Sequence, residues 1–179
     1  ESKRLSNLTK QLLLLTSLDQ ATYPLKYKQV RIDEQMKEVI RKHRWRLSER
    51  EIELSYKLEE ASAFVDEELF VNVWDNLLSN AIKFTQTGGF IQMNAHLSGD
   101  KVIFSIRDNG MGMDRHQMEQ LFSDHQIHSS VGTLGEQGAG LGLLVSKQFI
   151  QLSGESIWVE STVGQGSVFY FTMRDGSEL

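Results

Sequence analysis

The spacing of apolar residues changes along the chain, and each change marks a different element. Leu5, Leu8, Leu12 and Leu15 stand three, four and three residues apart, the a/d pattern of a helix packed lengthwise on another. Leu13, Leu14 and Leu18 widen that stripe, which suits either a helical bundle or a helix lying on its own domain. The run is expected to reach about Thr22 and to end before Pro24. Short extended runs, YKQVRI and IELSYKL, flank a helical segment from about Glu34 to Arg46. That segment closes in RKHRWR, cations that complement a helix C-terminus; a nucleic-acid patch is the alternative reading. Asp66 followed by Glu67 and Glu68 makes an N-cap with acids in the first turn, predicting a helix to about Thr85. FIQMNAHL and KVIFSIR read as strands joined by SGD, a plausible hairpin. A short helical stretch near 114–122 then leads into SDHQIHSSVGTLGEQGAG, which is polar, glycine-rich and without periodicity. A loop of that length in a compact domain is usually functional or disordered. A helix from about Leu141 to Leu152 and two strands, SIWVEST and SVFYFTM around the GQG at 164–166, complete the pattern.

Composition narrows the class. With 179 residues, 40% of them hydrophobic and 24% charged, and a single proline, the chain has the profile of an ordinary folded domain with an appended element. The net charge of −5 disfavours nucleic acid or an anionic membrane as partner. The absence of cysteine removes disulfide and thiolate chemistry and fits a reducing, cytoplasmic compartment. The longest apolar run, LLLL, falls far short of the roughly 20 residues that span a bilayer, so membrane attachment is expected only through segments outside this chain.

Three motifs carry candidate chemistry. In DNLLSNAIKF, residues 75–84, Asn76, Asn80 and Lys83 share one edge of a helix, Asn80 about 40° to one side of Asn76 and Lys83 about 20° to the other. A carboxamide oxygen can ligate a hard cation and a lysine can pair with phosphate, although such residues also simply face water. DNGMGM, residues 108–113, reads either as a tight turn or as a carboxylate at a strand end suited to an adenine amino group. GAGLGL, residues 138–143, opens a helix whose N–H groups are available to phosphate oxygens. It lacks the last glycine of a dinucleotide fingerprint, where Leu143 stands, and the Lys-Ser/Thr of a P-loop.

In this order the segments resemble the ATP-binding domain of the sensor histidine kinases of two-component systems, within the gyrase, Hsp90, histidine kinase and MutL (GHKL) superfamily. NLLSNAIKF is similar to the N box, DNGMGM to the G1 box, GAGLGL to the G2 box, GQGSVFYF to the final glycine box and Leu121-Phe122 to the F box, over residues 27 to about 174. ESKRLSNLTKQLLLLTSL is similar to the second helix of the family's dimerisation hairpin. The resemblance implies an α/β (α+β) two-layer sandwich, a mixed and mostly antiparallel sheet faced by three helices. It divides the chain into a partial dimerisation helix, 1–24, and an ATP-binding catalytic domain, 25–179, with an ATP lid at about 114–140. It further implies that Asn80 ligates Mg²⁺, Asn76 supports the same cluster, Lys83 contacts phosphate and Asp108 reads adenine. Phe84, Gly110, Gly112, Met113 and Phe122 then belong to the ATP pocket, and Gly138, Gly140, Leu141 and Gly142 to the lid's end around the phosphates. The implied partners are ATP, a phosphoacceptor histidine helix, a response regulator and a second copy of the chain paired through the N-terminal helix.

Hydrolytic relatives carry a glutamate four residues before the magnesium asparagine, to activate water. That position here is Asn76, and Asp75 lies about 100° away around the helix, so phosphoryl transfer is expected rather than efficient hydrolysis. None of the five histidines has the acceptor context, a following acid and a proline a few residues on, so autophosphorylation is not expected of this chain alone. Gln137 stands where related lids often place a base, leaving Lys83, Mg²⁺, Arg115 or a lid histidine to neutralise the γ-phosphate. His125 and His128 offer only two metal ligands.

Overall fold

The computed structural model describes residues 2–123 and 140–176. In chain order the elements are α1 (Ser2–Asp19), β1 (Tyr27–Arg31), α2 (Ile32–Glu49), β2 (Glu53–Leu58), β3 (Ser62–Asp66) and α3 (Glu67–Phe84). They continue with β4 (Phe90–Ser98), β5 (Lys101–Asp108), α4 (Arg115–Leu121), α5 (Leu141–Leu152), β6 (Ile157–Thr162) and β7 (Gly166–Arg174). Five strands form one sheet in the order β2-β4-β5-β7-β6, parallel between β2 and β4 and antiparallel elsewhere, and β1 pairs with β3 in a separate ladder. This is the two-layer α/β sandwich with a mostly antiparallel sheet.

The layers follow from two periodicities. Along β5, Val102, Phe104, Ile106 and Asp108 are buried and alternate with more exposed positions, so the strand turns four successive inward positions to the helices. Along α3, Leu69, Phe70, Val73, Trp74, Leu77, Leu78, Ala81 and Ile82 are buried, the three- and four-residue spacing of a helix lying on that sheet. Phe70 meets Trp74, Phe104, Phe149 and Phe171 edge-on, with ring centroids between 5.4 and 6.3 Å apart. Each such buried aromatic contributes roughly 1.5–3 kcal/mol, and Phe70 and Trp74 anchor the first half of α3 on the sheet. Asp66 caps α3 as the sequence predicts, accepting from the Leu69 N–H at 3.1 Å.

Three features go beyond the sequence reading. β3 is not foreseen there; its five residues sit between two acidic runs and form a strand because β1 supplies an antiparallel partner. α2 is longer at both ends than Glu34–Arg46. α1 turns Leu14, Leu15 and Leu18 onto the domain against α5, with Leu18 only 2% exposed, while Leu5, Leu12 and Leu13 face outward. The leucine stripe is thus divided between its own domain and an outer face. No described helix is long and apolar enough to cross a membrane.

Candidate functional site

A cavity of about 470 Å³ opens where the C-terminal half of α3, the end of β5, the start of β7 and α4 come together. α3 contributes Asn80, Ala81 and Phe84, the β5 end and following turn contribute Asp108, Met111, Gly112 and Met113, and β7 contributes Ser167 and Phe169. Gln117, Gln120 and Leu121 of α4 and Leu143 of α5 complete the wall. The size suits a small molecule, and the lining is largely apolar with a few placed polar groups, as ligand sites generally are.

Asp108 is the charged group of this wall, 5% exposed at the last inward position of β5. Burial pushes its carboxyl up to about 6, against the backbone N–H groups of Gly110 and Ser167, which favour the ionised form. The Gly110 N–H donates to Oδ1 at 2.9 Å. Ser167 lies directly across from Asp108 in the β5–β7 ladder. Ser161 ties the neighbourhood together: its Oγ is 2.8 Å from the Ser167 Oγ, donates to the Gly166 carbonyl at 2.9 Å and accepts from the Met113 N–H at 2.7 Å.

The turn after β5 lies directly on backbone. A Cβ on Gly110 would stand 2.0 Å from the Phe84 carbonyl oxygen, and one on Gly112, whose φ is +67°, would stand 2.0 Å from that of Thr162. Met111 N–H also donates to the Phe84 carbonyl, at 3.1 Å. The strand-end carboxylate and the α3 terminus are therefore locked at a spacing no side chain would permit. The DNGMGM segment is a tight turn, and it brings Asp108 beside Phe84 in the cavity wall.

The carboxamide edge is built by helix against helix. Asn76 Nδ2 donates to Asn72 Oδ1 at 2.7 Å and to the Gly142 carbonyl at 3.0 Å, which leaves its side-chain oxygen for other partners. A Cβ on Gly142 would meet the Asn76 carboxamide at 2.9 Å, so glycine lets α5 approach α3 this closely. Gly140, at φ +70°, is the N-cap of α5 and supplies no side-chain cap, so the first N–H groups of that helix have no side-chain acceptor from this position. Lys83 lies in the last turn of α3 with its ammonium 4.8 Å from the Phe84 ring centroid.

Asp75 points away from this edge. Its Oδ1 is 2.7 Å from His43 Nε2 and 3.1 Å from Lys42 Nζ, both on α2. Burial raises its pKa, but the hydrogen bonds from His43 and Lys42 outweigh that and hold it below the usual carboxylate range. A carboxylate so engaged is a poor base for activating water.

Of the residues singled out from sequence, Asn80, Phe84, Asp108, Gly112 and Met113 line the cavity. Asn76, Lys83, Gly110, Gly140, Leu141 and Gly142 are not among its lining residues; Asn76 and Gly142 meet one another, and Gly110 supports the turn. Phe122 is not a lining residue either: its carbonyl accepts from Lys147 Nζ, while its neighbour Leu121 takes the wall position. Leu141 is buried but Leu143 is the α5 residue in the wall. Gly138, Gln137, His125 and His128 lie outside the described residues. Ser167 and Phe169 are not among the site residues expected from sequence; they reach the wall through the pairing of β7 with β5. Gln117 and Gln120, one helical turn apart on α4, carried no signal in sequence.

The family described as "Histidine kinase-, DNA gyrase B-, and HSP90-like ATPase" matches residues 65–177. The chain is 43% identical over 94 residues to the circadian input-output histidine kinase CikA of Synechococcus elongatus, covering 52% of this chain and 12% of that protein. It is 34% identical over 140 residues to the adaptive-response sensory kinase SasA of Crocosphaera subtropica, covering 76% of this chain and 36% of that one. Among solved structures, full-length ShkA in complex with AMPPNP superposes with a TM-score of 0.80 at 26% identity, over 96% of this chain and 36% of the other. The chain thus spans between about an eighth and about a third of the length of these relatives.

Proposed function

Because the chain belongs to the histidine kinase-, DNA gyrase B- and HSP90-like ATPase family, we propose that it binds Mg·ATP and donates the γ-phosphoryl group to a histidine on a separate helix. The observation that carries the reading is the placement of Asp108 and Asn80 in one cavity, one at the sheet end and the other on the carboxamide edge. Asp108 accepts from the exocyclic amino group of adenine and repels the carbonyl that guanine presents there. Apolar Met111, Met113, Leu121 and Phe169 enclose the base. Asn80, Asn76 and Lys83 with the α5 N-terminus face the phosphates, where oxygen donors and N–H groups meet negative charge.

The donor set fits magnesium: the carboxamide oxygens of Asn80 and Asn76 are hard ligands, and Asn76 has both amide hydrogens already committed to protein acceptors. Asn80 would hold the ion, which neutralises triphosphate charge when bound. The chain's own part is to orient the nucleotide and exclude water around the base, because phosphoryl transfer needs mainly positioning and charge neutralisation. With Asn76 in place of an acid and Asp75 drawn off to α2, water activation is weak, so the acceptor is a histidine helix rather than water. Passage of the phosphoryl group to a response-regulator aspartate, pairing of two copies through α1, and attachment to a membrane through other segments belong to the same proposal. So do the assignments of residues 1–24 to a dimerisation hairpin and 25–179 to the catalytic domain.

Labelled ATP mixed with this chain and an acceptor-bearing dimerisation hairpin tests the reading. Acid-labile phosphate on the hairpin is expected. Steady phosphate release without the hairpin would instead mark a hydrolase, and ATP binding with neither outcome would mark a binding module.

A further inference from the structure

The RKHRWR stretch of α2 makes polar contacts with α3 beside the two site carboxamides, while Gln35 and the capping Arg50 reach α3 backbone carbonyls nearer its two ends. Arg46 Nη1 donates to Ser79 Oγ at 2.9 Å, and Ser79 immediately precedes Asn80. His43 Nε2 lies 2.7 Å from Asp75 Oδ1, and Asp75 immediately precedes Asn76. His43 Nδ1 in turn lies 3.4 Å from Arg46 Nη1. A carboxylate only accepts, so the imidazole donates through Nε2 and offers Nδ1 to the guanidinium. Ser79, Arg46, His43 and Asp75 thereby form one continuous chain of hydrogen bonds along the interface. His43 is 6% exposed, which fixes the middle of that chain in the interface.

Ser79 and Asp75 lie on the flank of α3 turned from Asn80, and a hold on that flank sets the rotation of the helix about its axis. A rotation of about 20° at a side-chain radius of about 6 Å displaces a carboxamide by about 2 Å. Metal coordination tolerates only about 0.2 Å, so even a small part of such a rotation would unseat the ligand.

We propose that Arg46 is a positioning residue for the carboxamide end of the cavity, fixing where Asn80 stands by holding Ser79 against the pair that buried His43 makes with Asp75. The proposal rests on the Mg·ATP reading above, and its test separates the two. ATP affinity is measured with magnesium and with a chelator, for the wild type, Arg46→Ala, Ser79→Ala and the double variant, alongside thermal melts. Each single variant is expected to lose about fivefold of the gain that magnesium confers, the effect of about one hydrogen bond, while affinity in chelator stays unchanged. The double variant loses no more than either single one, because both remove the same contact. Ser79→Ala removes one hydroxyl only and carries the test if Arg46→Ala does not fold. Equal losses with and without magnesium, additive losses, or no loss would overturn the positioning role. A wild type whose affinity ignores magnesium would overturn the Mg·ATP reading and this proposal with it.

Discussion

At one end of the cavity Asp108 stands on the central strand of a five-stranded sheet, and the loops around it touch backbone to backbone. At the other end Asn80 lines the cavity from the edge of a single helix, and Asn76 behind it meets α5 through a carboxamide and a glycine. The first construction has no slack: a missing Cβ at 2.0 Å from a carbonyl oxygen cannot be accommodated by turning a side chain. The second depends on side-chain contacts, which yield to small helix rotations where a backbone contact would not. On the proposed function, the first construction suits an end that reads a rigid purine and the second an end that receives a reacting phosphate.

The sharpest way to break this contrast is to add one methyl group to each end. Gly110→Ala drives its Cβ into the Phe84 carbonyl and should cost on the order of 3 kcal/mol of folding stability or more, read by denaturant unfolding. A cost below about 1 kcal/mol would show the adenine end to be as yielding as the other.

Next in size is the titration of Asp108. Its folded pKa, about 6, lies above its ordinary value, so the folded chain holds this proton more tightly than the unfolded one. The stabilisation is complete below the ordinary carboxylate range and is lost as pH rises through about 6. Above that pH Asp108→Asn should therefore be more stable than the wild type, by about 2 kcal/mol, with the gap closing toward pH 4. ATP affinity should move the opposite way, falling as pH drops below about 6, because only the ionised carboxylate accepts fully from adenine. Parallel pH curves for the two proteins would remove Asp108 from the account.

Gly142→Ala should change stability by less than about 1 kcal/mol, since alanine favours the helix while its Cβ displaces the Asn76 carboxamide. ATP affinity in magnesium should nevertheless drop about fivefold, the value of a lost hydrogen bond. The smallest effect is expected for Asn80→Ala in chelator, where affinity should change little; its loss should appear only when magnesium is added.

Much of this division is legible in the sequence, but unequally. α3 declares itself through the Asp66 cap, the acidic first turn and the apolar spacing from Leu69 to Ile82, and its bounds fall within a residue of those read from the chain. α5 and the β4–β5 hairpin are equally plain. β3 is not, because five residues between acidic runs become a strand only through a partner more than thirty positions away in the ladder with β1. In the site, Asp108 and the glycines are marked by residue type, whereas Ser167 and Phe169 enter the wall through their register against β5, a tertiary fact. The cations of α2 carry a helix-end signal, yet Lys42 and His43 meet Asp75 and Arg46 meets Ser79, contacts that no local pattern encodes.

The central claim is that a buried carboxylate selects adenine while a carboxamide edge faces the phosphates, and calorimetric titration with ATP and GTP in magnesium tests it most directly. The account predicts that the wild type binds ATP and rejects GTP, and that Asp108→Asn weakens ATP by about 1–3 kcal/mol through an unsatisfied buried partner. Equal affinity for the two nucleotides, or an Asn variant that binds ATP as tightly as the wild type, would contradict it.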